Sequence, residues 1–229
     1  MKFTYSIPTK ILFGPGSFND LATTPLPGKK ALIVITAGKS MRANGYLDRL
    51  IDMLDEQGIG HALFDKILPN PVLRHVHEGA ALAREQGCDF VIGLGGGSSI
   101  DSAKSIAVMA KNPGDYWDYI SGGSGKGQPL VNGALPIVAI ATTAGTGTEA
   151  DPWTVITKED TNEKIGFGCA ETFPVLSVVD PEMMLTIPAH LTAYQGFDAL
   201  FHATEGYIAN VATPLSDAYA LKSIELLAK

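Results

Sequence analysis

The stretch "DFVIGLGGGSSIDSAKSIAVMA" (Asp89–Ala110) joins an unbroken apolar run to a cluster of glycines and serines, then to apolar residues at helical spacing. That pattern specifies a buried strand turning sharply into a helix. Gly95, Gly96 and Gly97 let a ligand approach the backbone without meeting a Cβ. A helix N-terminus leaves N–H groups unpaired and carries partial positive charge, so such a turn suits phosphate. Ser98 is placed to cap the helix or to donate to a phosphate oxygen, and Asp101 completes an S-x-x-D capping pattern. The match to G-x-G-x-x-G is imperfect, because Ser98 replaces the third glycine and no acidic residue ends a following strand at the right distance. A plain tight strand-to-helix turn is the other reading of these residues.

Outward from this unit the chain alternates short apolar runs with amphipathic segments. "ALIVI" (Ala31–Ile35) reads as a buried strand, and "GYLDRLIDMLDEQG" (Gly45–Gly58) as a helix with Leu47, Leu50, Ile51 and Leu54 on one face. A strand over His61–Asp65, a helix from about Val72 to Gly87, and the strand "LPIVAIA" (Leu135–Ala141) continue the series. Asn112-Pro113-Gly114 stops the helix that follows the glycine turn. Apolar strands separated by single helices imply parallel pairing with helices on both faces, a doubly wound α/β fold with a mostly parallel sheet.

After Asp151 the texture changes. "TVITKED" and "EKIGFG" flank polar "TN" as a hairpin, and "PVLSVVD" adds a last strand. From Pro188 the pattern is helical only, with Thr213 and Pro214 opening a final helix. The division expected is an α/β domain over residues 1–183 and the beginning of an all-helical domain over 184–229. Two helices can hardly bury a core of their own, so that second domain is expected to be truncated.

A second loop, "TTAGTGTEA" (Thr142–Ala150), ends the strand "LPIVAIA". Hydroxyls and glycines at a strand's C-terminal end suit the ligand crevice of an open α/β sheet. Thr142, Thr143 and Thr146 are candidates to bind phosphate or ribose oxygens; the bland alternative is a loop satisfying its own backbone. "SGGSGKGQ" (Ser121–Gln128) imitates a Walker loop but has Ile120 for its first glycine and Gly127 for Ser/Thr, and reads as a surface loop.

"GFDALFHATEGY" sets Asp198 and His202 four residues apart, one turn apart on one helical face. Carboxylate plus imidazole suits a divalent first-row metal such as iron or zinc, with Glu205 behind the pair to orient it. An ordinary Asp–His helix pair is the competing reading. His75 and His77 lie two apart on a helix, on different faces, and read as surface residues.

Composition bounds the function. The net charge of -7 over 229 residues argues against a nucleic-acid surface. "MKFTYSIPTK" lacks a signal-peptide core, and the apolar runs are too short to span a bilayer, so no membrane partner is expected and the location reads as cytoplasmic. Cys88 and Cys169 are far apart and match no zinc spacing, which fits a reducing compartment.

Taken in order, "GGGSSIDSAK", "ATTAGTGTEA" and "DPEMMLTIPAHLTAYQGFDALFHATEGYIA", with the opening "PTKILFGPGSF", resemble the iron-containing (group III) alcohol dehydrogenase family. The resemblance covers essentially the whole chain. It implies a cleft between a dinucleotide-binding domain and a helical domain, and hydride transfer between NAD(P) and a small primary alcohol or aldehyde. By the same resemblance the cofactor residues fall on Gly96, Gly97, Ser98, Asp101, Thr142, Thr143 and Thr146, with Lys164 and Asn70 contributing. The metal ligands fall on Asp198 and His202, which act catalytically through Fe2+ (or Zn2+), and the two further histidines of the family lie beyond this chain. Family members preferring NAD carry an aspartate after the first long strand; here Thr36 stands there, with Lys39 or Arg42 able to accept a 2′-phosphate, so the choice leans to NADP. A homodimer or larger homo-oligomer is also implied. Glycerol dehydrogenase and dehydroquinate synthase share the glycine turn and are the nearer alternatives. A non-catalytic nucleotide-binding module is the more distant one.

Overall fold

The computed structural model describes residues 1–229. Its elements are β1 (Lys10–Phe13), β2 (Lys30–Thr36), α1 (Ser40–Ala43), α2 (Tyr46–Glu56), β3 (Gly60–Ile67), α3 (Leu73–Gln86), β4 (Phe90–Gly95) and α4 (Gly97–Lys111). There follow β5 (Ile137–Ala141), β6 (Thr154–Lys158), β7 (Glu163–Phe167), β8 (Leu176–Val179), α5 (Ala189–Ile208) and α6 (Pro214–Leu227). Six strands form one sheet in the order β1-β8-β5-β4-β2-β3. Every pairing in that sheet is parallel.

The continuous apolar runs are explained by burial on both faces. In β2, Ala31, Ile33 and Ile35 point to one side, where they join a cluster containing Leu47, Leu50 and Leu54 of α2. Leu32 and Val34 point to the other, into a cluster with Val76, Ala80 and Ala83 of α3 and Ala103 and Ile106 of α4. Each cluster holds 20 buried residues, so neither face is left open to water. The expected doubly wound sheet is what these residues build.

The connections decide where a ligand fits. From β2 the chain passes through α2 to β3 at the sheet edge, then returns through α3 to β4 on the other side of β2. The order therefore reverses between β2 and β4, and a crevice opens beyond their carboxyl ends. Thr36 ends one strand and Gly95 the other.

The expected hairpin is present, β6 pairing antiparallel with β7 as a separate two-stranded sheet. The helix expected from about Val72 is α3, closed by Gly87 in the left-handed conformation. Thr213 caps α6 by accepting from the Ser216 N–H, with Pro214 at the first helical position. Helices α5 and α6 pack on each other, and α5 has no buried residue. No helix is long and apolar enough to cross a membrane, and both cysteines are free.

Two expectations need correction. The cap of α4 is Gly96, with no side chain bonded to the exposed amides, so Ser98 lies inside the first turn and forms no capping box with Asp101. The turn's extended backbone at Gly96 lets the helix begin at Gly97, one residue before the serine. His75 is buried rather than superficial, its ring edge-on to Phe64, and burial pulls its pKa down. Only His77 is partly exposed, 3.2 Å from the Asp115 carboxylate.

Candidate functional site

A cavity of about 720 Å³ lies at the reversal point. Its walls include Thr36, Gly95–Ser98, Thr142, Thr143, Thr146 and Asp198. The volume lies within the range of small-molecule and cofactor sites.

The glycine turn and the threonine loop meet face to face. Thr142 N–H donates to the Gly95 carbonyl at 2.9 Å, tying the end of β5 to the end of β4. Gly95 has φ +143, open only to glycine without strain. A Cβ on Gly96 would stand 2.8 Å from Thr143 Oγ1. Glycine at 96 is thus demanded by the close approach of the second loop. The N-terminal amides of α4 open into the same cavity, which suits an anion.

The structure places the sequence candidates unequally. Gly96, Gly97, Ser98, Thr142, Thr143, Thr146, Thr36 and Asp198 line the cavity. Asn70 and Lys164 are exposed beside its wall residue Pro69, and Lys164 Nζ donates to Asn70 Oδ1 at 2.8 Å. Asp101 does not line the cavity. Its carboxylate accepts from the Thr148 hydroxyl at 2.7 Å and from the Val155 N–H at 2.9 Å, and so faces the interior. Of the two cations near Thr36, Arg42 is paired with Asp65 at 2.6 Å, leaving Lys39 exposed.

Beneath the site lies a network that local sequence patterns did not disclose. Lys104, wholly buried on α4, donates from Nζ to Thr148 Oγ1, to both the carbonyl and the carboxylate of Asp151, and to the Trp153 carbonyl. Burial pushes the Asp101 carboxyl above its ordinary value, opposed by the Thr148 and Val155 hydrogen bonds. Burial likewise pulls the Lys104 ammonium below its own, opposed by the charges of Asp151 and Asp101. The network clamps the segment after the threonine loop onto α4. "DSAK" signalled only a helix, and its charged pair gave no hint of partners some 50 residues away.

Asp198 and His202 face each other on α5, Oδ1 to Nε2 at 3.7 Å, with side chains 46% and 57% exposed. Carboxylate and imidazole at that separation fit two ligands of a divalent first-row metal. No third His, Cys, Asp or Glu joins them into a larger cluster. Glu205 lies exposed on the same helix. The Walker-like segment is a surface loop, as read, its Ser124 held by Glu163 and its Lys126 by Asp118.

A parallel sheet with a glycine turn at its reversal point, and Asp198 in the wall of the same cavity, makes a site whose chemistry suits an anionic ligand. Comparison with known proteins makes the assignment specific. Residues 8–181 match the family "Iron-containing alcohol dehydrogenase", and residues 192–229 match "Fe-containing alcohol dehydrogenase family, C-terminal". The chain belongs to the iron-containing alcohol dehydrogenase family. It is 40% identical over 227 residues to choline dehydrogenase of Bacillus subtilis (strain 168), covering 98% of this chain and 56% of that protein. It is 37% identical over 225 residues to the NAD-dependent methanol dehydrogenase of Bacillus methanolicus, covering 97% and 57%. The crystal structure of an archaeal halo-thermophilic alcohol dehydrogenase from a Red Sea brine pool superposes with a TM-score of 0.93 at 36% identity, covering 99% of this chain and 58% of that one. The chain thus spans little more than half the length of the relatives it matches.

Proposed function

We propose that this chain forms the dinucleotide-binding domain (residues 1–183) and the first helices of the metal-bearing domain (184–229) of a dehydrogenase that moves a hydride between NAD(P) and a small primary alcohol or aldehyde. The observation that carries the reading is that the Gly95–Ser98 turn, the Thr142–Thr146 loop and Asp198 line one cavity.

When bound, the nicotinamide accepts or gives the hydride, and Fe2+ (or Zn2+) supplies Lewis acidity at the alcohol oxygen. The chain's own residues prepare the geometry. The α4 amides at Gly97 and Ser98 receive the pyrophosphate, which Gly96 lets come close. Thr142, Thr143 and Thr146 offer hydroxyls to phosphate and ribose oxygens, with Asn70 and Lys164 at the cavity's flank. Asp101 acts from beneath, by holding Thr148 and the start of β6. Asp198 and His202 would hold the metal. Thr36, standing where the sequence carries no acidic residue after β2, and the exposed Lys39 favour NADP over NAD. The oligomer proposed is a homodimer or larger, and the site of action is the cytoplasm.

The test is the full-length protein reconstituted with Fe2+ without oxygen and assayed with short primary alcohols. Metal-dependent formation of reduced nicotinamide is expected, with a higher kcat/KM for the NADP couple than for NAD. Cofactor binding with neither metal uptake nor turnover would instead identify a nucleotide-binding module.

A further inference from the structure

Helix α5 carries both metal-ligand candidates yet has no buried residue, so little packing fixes it against the sheet. Its side-chain hydrogen bonds are few. Thr192 and Thr204 bond to carbonyls one turn back, and only Gln195 reaches another part of the fold. Gln195 Oε1 accepts the Ala144 N–H at 2.8 Å. Ala144 lies between Thr143 and Gly145, at the centre of the loop proposed to hold the cofactor.

A second contact lies beside the first. Gly145, with φ +102, passes so close to α5 that a Cβ there would stand 2.8 Å from Asp198 Oδ2 and 2.9 Å from the Gln195 carbonyl. The loop is therefore pressed between two elements, the glycine turn on one side and α5 on the other. A ligand that fixes Asp198 fixes the helix turn bearing Gln195, and through its amide the loop.

We propose that Gln195 is a positioning residue that latches the Ala144 N–H of the cofactor loop to the metal-bearing helix, so that nucleotide and metal each strengthen the binding of the other. This rests on the dehydrogenase reading above. Coupling between two sites is reciprocal, and one net hydrogen bond limits it to about fivefold.

The test is a calorimetric titration of the full-length protein with NADPH, with and without saturating Zn2+. In the wild type Zn2+ is expected to tighten NADPH about fivefold. In Gln195→Ala the nucleotide still binds and the ratio falls to near one. Gln195→Glu keeps an acceptor for the Ala144 N–H, so hydrogen exchange at that amide stays slow in it and becomes fast in Gln195→Ala. A Gln195→Ala protein that keeps the wild-type ratio overturns the proposal, as does a wild type that binds both ligands with no mutual effect. A wild type that binds neither NADPH nor NADH, or no Zn2+, overturns the dehydrogenase reading instead, and the coupling with it.

Discussion

Lys104 donates to the Thr148 hydroxyl at 2.8 Å, and the Thr148 hydroxyl donates to the Asp101 carboxylate at 2.7 Å, so one threonine bridges a buried cation and a part-buried anion. Removing the cation strands the other members. Lys104→Met is expected to cost about 3–5 kcal/mol of stability, as for one partner lost from a buried pair. Thr148→Val leaves both charges in place and costs about 1–3 kcal/mol. Urea denaturation of the two variants gives the order; a milder effect for Lys104→Met would refute the bridge.

Gly96→Ala tests the close approach of the two loops. The added methyl meets Thr143 Oγ1 at 2.8 Å and Cγ2 at 3.1 Å, so Thr143 must turn away from its place in the cavity wall. The backbone at Gly96 has a negative φ, so no strain is added. NADPH affinity is expected to fall at least about tenfold while the denaturation midpoint barely moves. Unchanged affinity in a fluorescence titration would show that the cofactor does not press on this turn.

Asp198→Ala and His202→Ala touch half-exposed side chains with no buried partners. Stability is expected to stay within about 0.5 kcal/mol of the wild type, because surface changes away from special features are mild. Metal content by mass spectrometry is expected to fall in each variant, with nucleotide binding retained in the absence of metal. Full metal content in both would move the metal centre elsewhere.

Glu163 makes a pH prediction. The Ser124 hydroxyl first, then the Thr161 hydroxyl and the Ser124 N–H, hold its carboxyl down to about 2. A depressed carboxyl contributes stability above its unfolded value, and that contribution is lost as pH falls from there toward about 2. The Ser124 amide resonance should therefore stay constant from neutral pH down to about pH 4, where a free glutamate is half protonated. In Glu163→Gln the same resonance is shifted at every pH. A midpoint near 4 in the wild type would disprove the hydrogen bonds.

Much of the sheet was legible because β2, β4 and β5 are apolar on both sides, a signal that survives without knowledge of neighbours. The glycine turn was legible for a related reason: glycines bunched between strand and helix mark a sharp turn, which Gly95 makes at φ +143. Asp101 was misread because its sequence neighbour Ser98 offered a local partner, whereas its true partners, Thr148 and the Val155 N–H, are distant in the chain. Lys104 looked like an ordinary helical lysine, and only the fold of residues 148–153 around its ammonium explains its burial. His75 shows the same limit, since two histidines of one helix part company according to which lies over Phe64. Gln195 lacked any motif; its role depends on the loop that happens to lie against it.

The reversal of strand order between β2 and β4 has a consequence for how such a protein can change over generations. The crevice exists because two strands part, not because side chains were hollowed out of the interior, and of its walls only Met41 belongs also to a large apolar cluster. Preference for one ligand over another can therefore drift by substitutions at Thr36, Ser40 or Thr146 while the scaffold stays intact, which leaves the architecture free to host new chemistry.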